Sequence, residues 1–314
     1  MTDTILCRDS GVELLDRVDR LLDTGNVAEG VRRLFVGLDH VRATRNAQSW
    51  RRFAETDAIA HPLCAKIHED PLTRHSFTKP RGYAGDAVLL DYIYGLCSRD
   101  EATPRGRLVG DVASGRAPAA AVRYRRDLIA YRIDQIAERA PEPARVLSVA
   151  CGHFREGRMS VAVQNGGLAE VVALDSDANS LREVEASSPR CVRPVELSVR
   201  GLLGRRVGSE LGDFDFVYSA GLYDYLDDRV ATALTAKMFD LLRPGGRLLV
   251  CNFLPDCPDV GYMESFMGWR LIYRTMRAIG RLADAVPKDQ VAAVEQFEDG
   301  FGSVGYLELK KVAR

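Results

Sequence analysis

One acid and one turn of small residues hold the chemistry that this sequence most plainly offers. Asp175 closes the apolar run Val171 to Leu174. A carboxylate at such a strand tip suits the paired hydroxyls of a nucleotide ribose. Ala150-Cys151-Gly152 follows a second short apolar run, Val146 to Val149. Small residues at that point let a ligand approach the backbone of a tight strand-to-helix turn. From 144 to 178 the order is strand, turn, helix, strand, acid, the layout of a mononucleotide-binding half of a doubly wound sheet. The G-x-G-x-x-G fingerprint is absent, which disfavours a dehydrogenase, and no G-x-x-x-x-G-K-S/T occurs anywhere.

The elements that position these residues follow from periodicity. Val12, Leu14, Leu15, Val18, Leu21 and Leu22 are spaced for a helix over 11–23, and Val31, Leu34, Phe35 and Leu38 for a second. Arg42 to His61 reads as a third helix. Arg99 to Ala119, with Pro, Gly, Ser and charges, reads as a linker or mobile segment. Ala121 to Ala140 returns to helix, with Ile129, Ile133 and Ile136 as its buried stripe. No strand pattern precedes residue 144. Residues 260–283, dense in Met263, Phe266, Met267, Trp269, Leu271, Ile272, Met276 and Ile279, read as one helix inserted before the final strands, with 302–309 as the last strand.

Composition narrows the classes. The chain has 314 residues, a formal net charge of −1 and 46% hydrophobic residues. That balance gives no general pull toward nucleic acid or anionic membrane. No apolar stretch approaches a membrane span, and the N-terminus lacks the basic start and apolar core of a signal peptide. The seven cysteines are scattered and form no C-x-x-C pair, so reduced thiols in the cytoplasm are expected. His61, His68 and His75 recur every seven residues, but Pro62 and Pro71 interrupt the helix that would align them. No metal is expected. Lys79-Pro-Arg-Gly-Tyr-Ala-Gly-Asp86 reads as a loop, with Asp86 as N-cap of a following helix and Arg81 or Tyr83 turned toward a substrate.

Asp213-Phe-Asp-Phe-Val217, followed by Leu241-Leu-Arg-Pro-Gly-Gly-Arg-Leu-Leu-Val250, resembles the class I S-adenosylmethionine (SAM)-dependent methyltransferases, from about residue 124 to the C-terminus. The 79–86 loop, Leu147-Ser-Val-Ala-Cys-Gly152, Tyr218-Ser-Ala-Gly-Leu-Tyr-Asp-Tyr225 and Gly268-Trp-Arg-Leu-Ile-Tyr-Arg274 are similar to the bacterial methyltransferases of 3-hydroxypalmitic acid methyl ester biosynthesis. The resemblance implies an α/β fold: a Rossmann-like, doubly wound, mostly parallel sheet behind an N-terminal helical domain. A helical lid or substrate domain over 1–120 and a SAM-binding domain over 121–314 are expected.

The resemblance also distributes the cofactor. Ala150, Cys151, Gly152 and His153 cradle the amino-acid end, Asp175 anchors the ribose, and Ser176 or Asp177 lies near adenine. Ser198 and Val199 reach the adenine amino group, and Ser219 and Ala220 line the slot beside the methionine portion. Tyr124, Arg125 or Arg126 reaches the methionine carboxylate. The common class I pattern has an acid where this chain has Ser148 and glycines at Ala150 and Phe154; Glu156 is the acid placed to substitute. Methyl transfer asks chiefly for alignment and exclusion of water. A carboxylate acceptor needs a cation or hydroxyl to hold it, whereas a hydroxyl or amine acceptor needs a base. The candidates are Tyr83, Tyr223, Asp224, Arg270 and Tyr273. The resemblance favours carboxyl methylation of a hydroxy fatty acid. O- or N-methylation of a specialised metabolite, and SAM sensing without turnover, stay open, as does a homodimer. No nucleic-acid or membrane partner is expected.

Overall fold

The computed structural model describes residues 2–204 and 211–313. They form two compact units: residues 1–122 with 257–270, and residues 123–256 with 271–314.

The first unit is helical. α1 (Thr2–Asp23) and α2 (Val27–Ala43) are joined by a turn in which Gly25 takes φ +83°. Along α2, Val27, Val31, Leu34, Phe35, Leu38 and Val41 are buried, the three-and-four spacing of an amphipathic helix. The third expected helix is broken. Asn46 caps α3 (Ala47–Arg52), which runs into a π-turn at Phe53–Asp57 and a last turn at Ala58–Ala60 before Pro62. Asp70 caps α4 (Pro71–Thr78) and Asp86 caps α5 (Ala87–Ile93), accepting from the Val88 and Leu89 amides. The 99–119 segment is no linker. Thr103 caps α6 (Pro104–Ser114), an N-cap and N1-proline start that its thin apolar stripe obscures. Near the end of this unit, helix Val260–Glu264 stops where the Trp269 amide folds back onto the Met263 carbonyl at 2.7 Å and Gly268 takes φ +57°. The single helix expected over 260–283 therefore does not form.

The second unit carries the sheet. α7 (Ala117–Arg139) leads into β1 (Arg145–Val149). β2 (Glu170–Asp175), β3 (Val192–Glu196), β4 (Phe214–Ser219) and β5 (Leu242–Phe253) follow, linked by α8 (Ala178–Ser187) between β2 and β3 and α9 (Asp228–Asp240) between β4 and β5. β6 (Val291–Glu298) and β7 (Val304–Lys311) complete the order β3-β2-β1-β4-β5-β7-β6. β1 to β5 pair in parallel and β7 runs antiparallel between β5 and β6. This is the expected Rossmann-like, mostly parallel sheet. β1, β2 and β4 are almost wholly buried, as helices on both faces require. The order reverses between β1 and β4, so the crevice at their carboxyl ends is the topological switch point.

The helix expected after β1 is reduced to a 3₁₀ turn (Arg155–Arg158) and four residues (Val161–Gln164). The backbone before it explains why. Ala150, Gly152 and Phe154 take φ of +56°, +52° and +51°. These are the three positions where the common pattern carries glycine. Here two of them hold side chains in the left-handed region, at a cost of about 1–3 kcal/mol each. Phe154, 2% exposed, fills the space beside Gly157, where an added Cβ would sit 2.2 Å from its ring.

A contrast tests the strain. Ala150→Gly should leave stability unchanged or raise it by up to about 1 kcal/mol, because relieved strain is offset by a more flexible unfolded chain. Phe154→Gly should lose about 3 kcal/mol through the cavity it opens. Urea midpoints at constant m-value check both. A loss at Ala150→Gly as large as at Phe154→Gly would show that its left-handed backbone is unstrained.

Candidate functional site

Asp175 ends β2 with its carboxylate 8% exposed. Oδ2 accepts the Gly152 amide at 2.8 Å and Oδ1 the Asp177 amide at 2.9 Å. The Cys151 amide donates to the Leu174 carbonyl at 3.0 Å. The strand-tip acid and the strained turn are thus one hydrogen-bonded unit at the switch point. Asp177 caps α8, and Ser176 beside it is exposed. Ser198 is exposed and caps the turn Val199–Leu202, with Val199 half-buried at its start.

A second group lies under the turn. Glu156 is buried, and the Tyr218 hydroxyl donates to its Oε1 at 2.6 Å. Ser148, in the usual place of the acid, is hydrogen-bonded to the same phenol. Burial raises the pKa of Glu156, against the lowering effects of the Tyr218 hydrogen bond and the charges of Arg125 and Arg126. The sequence reading missed Tyr218. Its signal was a phenol near the end of a buried strand, where the hydroxyl must find a partner.

Of the three residues on α7, only Arg125 turns inward. It is 3% exposed, whereas the exposed Tyr124 meets Phe301 and Tyr306 edge-on, and Arg126 pairs with Asp127. A Cβ on Gly221 would lie 3.5 Å from Arg125 Nη2, and Arg125 is hydrogen-bonded to Cys251. It therefore stands at the carboxyl ends of β4 and β5. The Cys251 thiol donates to the Ala220 carbonyl at 2.9 Å, and burial pushes its pKa up to about 12. Burial also raises the Cys151 thiol, so neither sulfur is a nucleophile at neutral pH. Ser219, at the tip of β4, is 1% exposed, and its Oγ has no hydrogen-bond partner among the described residues. A buried hydroxyl of that kind is costly unless a ligand completes it.

The acceptor-side candidates have other duties. The Tyr223 hydroxyl is buried and bonded to Thr235 at 2.9 Å. Asp224 accepts the Phe253 amide at 2.7 Å, and burial raises its pKa to about 6. Arg274, 3% exposed, donates to the Tyr223 and Leu226 carbonyls and to Asn252 Oδ1 at 2.5–2.7 Å. These bonds brace the chain after β4 against the end of β5. Tyr273 beside it is half-buried. In the first unit, Arg270 pairs with Glu55 and Glu264, Tyr83 is 39% exposed, and the 79–86 loop is pinned by Asp86, which His75 meets at 2.8 Å. His61 lies by Asp16 and His68 by the Phe266 carbonyl, so the three histidines have separate partners.

The donor set fits SAM: one buried cation for a carboxylate, one buried acid for an ammonium, and one strand-tip acid for a ribose diol. Residues 146–246 match the family model described as methyltransferase domain. No curated protein sequence matches the chain. Among solved structures, one described as a possible exported protein from Bordetella parapertussis aligns over 87% of this chain and 99% of its own, with a TM-score of 0.62 and 17% identity. That likeness speaks to the fold alone. The methyltransferase SibL aligns over 78% of this chain and 74% of its own (TM-score 0.48, 17% identity). Magnesium protoporphyrin IX methyltransferase from Synechocystis PCC 6803 with bound SAH (S-adenosylhomocysteine) aligns over 62% and 86% (TM-score 0.44, 14% identity). Among the described residues no helix is long and apolar enough to cross a membrane. Over residues 146–246 the chain is thus similar to a methyltransferase domain.

Proposed function

We propose that the enzyme methylates a carboxyl oxygen of a small acid, a hydroxy fatty acid or a close analogue, in the cytoplasm. The observation that carries the cofactor half is the Asp175 carboxylate locked to the Gly152 amide at the β1/β4 switch point. Bound SAM supplies an electrophilic sulfonium methyl. Asp175 takes the ribose hydroxyls, Arg125 the methionine carboxylate, and Glu156 the ammonium, with Ser219 completing the wall. The turn brings bare backbone close to the ligand, and its burial excludes water from the displacement.

The acceptor half rests on which side chains are free to act as a base. Tyr223 and Asp224 hold the fold together, and both thiols are protonated. A carboxylate is already a nucleophile at neutral pH and needs only to be held, so an acid acceptor suits this inventory better than an alcohol or amine. Tyr273 is the group of the sheet unit proposed to face it. The helical unit is proposed as the lid or substrate domain.

Two measurements test this reading. Asp175→Ala should weaken SAM and SAH binding by roughly 100-fold, the loss of two hydrogen bonds to a charged group, with Asp175→Asn less damaging. Calorimetry gives the affinities; unchanged binding would remove the ribose anchor. Labelled-SAM turnover should be seen with hydroxy fatty acids and not with amines or phenols of similar size.

The pH dependence of Glu156 has a definite sign. Its pKa is raised in the folded state, so the native protein binds more protons than the unfolded chain above pH 4.5. Stability falls as pH rises through that window and the penalty is complete above the folded pKa. Glu156→Gln should therefore raise the melting temperature of ligand-free protein at pH 8 but hardly at pH 4, while weakening SAM binding. A pH-independent difference would mean that the carboxyl is not strained by burial.

A further inference from the structure

The second unit holds another concave site, at the opposite strand ends from the cofactor crevice. It encloses about 1180 Å³ of atom-free space, open to solvent, between the last turns of α7, the starts of β4 and β5, and the end of β7. Five of its lining side chains are cationic: Arg132, Arg139, Arg243, Arg247 and Lys310. Asp215, Glu295 and Glu308 oppose them.

The acids do not neutralise the groove. Asp215, 6% exposed, is taken by Arg243 and by the Arg145 amide. Glu308, 2% exposed, is shared by Arg132 and Arg247. Glu295 is exposed. Arg139 and Lys310 make no ion pair among the described residues. Arg247 and Lys310 are also direct cross-strand partners in the β5–β7 register, and like charges placed opposite each other destabilise a ladder. Arg132 Nε lies 3.1 Å from Glu308 Oε2 as an ion pair, in a geometry that makes no hydrogen bond for either buried atom. Two cations placed opposite each other on neighbouring strands, and two cations without ion pairs at one concave surface, are together what a bound anion would resolve.

We infer that this groove binds a small phosphate-bearing anion of two or more negative charges. Arginine forks match phosphate oxygens in pairs, and a concave site admits a compact ligand. The site stands apart from the SAM reading: its lining shares no residue with the turn, with Asp175 or with Arg125.

Pyrophosphate titrated into the full-length enzyme by calorimetry, at fixed ionic strength and with or without SAH, tests it. One site per chain is expected, with a dissociation constant below about 1 mM and no dependence on SAH. The double variant Arg139→Ala, Lys310→Ala removes only side chains without ion-pair partners and should weaken binding at least tenfold while leaving the melting temperature unchanged. Absence of binding, or equal affinity in the double variant, overturns the proposal. Polyglutamate binding more tightly than pyrophosphate also overturns it, in favour of an acidic protein surface.

Discussion

The bond from the Gly152 amide to the Asp175 carboxylate is the constraint on which the sheet unit turns. It joins the ends of β1 and β2 where the sheet order reverses. The chain can meet it only by folding 150–154 back on itself with three left-handed residues. Everything nearby serves that shape. Phe154 locks the far side against Gly157, the Cys151 amide holds the near side to β2, and the helix that would follow shrinks to a single turn.

The usual acid is missing from β1, and a buried carboxylate, Glu156, lies past the turn. Ser148 now supports Tyr218, Tyr218 donates to Glu156, and Glu156 lies just past the turn. The carboxylate arrives from the following loop instead of from the strand. Under the proposed function this carboxylate takes the place of the strand acid, an exchange that a linear pattern does not display.

Legibility in the sequence followed the strength of local signals. β1 and β2 were readable because buried parallel strands are short apolar runs with small or acidic ends. Asp86 was readable as an N-cap because a loop of Pro and Gly led directly into Ala87 to Ile93. α6 was not, because Val109 and Ala113 make too thin a stripe. The segment after Met263 misled for the opposite reason. Phe266, Met267 and Trp269 are buried through a doubled-back chain, and the stretch that follows is bound to the ends of β4 and β5, where the Ile272 amide meets the Asp224 carbonyl and the Arg274 amide meets Phe253. Apolar density reports burial, and burial does not require a helix.

Arg274 shows the limit most clearly. A cation inside a run of Trp, Leu, Ile, Tyr and Met looks like an interruption of a core helix or a substrate ligand. Instead, its guanidinium satisfies two carbonyls and a side-chain amide that would otherwise be buried without partners. Those acceptors come from the loop after β4 and from β5, so the need for a five-donor fork arises only once the sheet has formed. The same holds for Glu156. A carboxylate is tolerable in a core when a phenol and neighbouring arginines act on it, and here the phenol comes from β4 and the arginines from α7. Site residues that answer to a single turn are visible in sequence; those that answer to the assembled sheet are visible only in the fold.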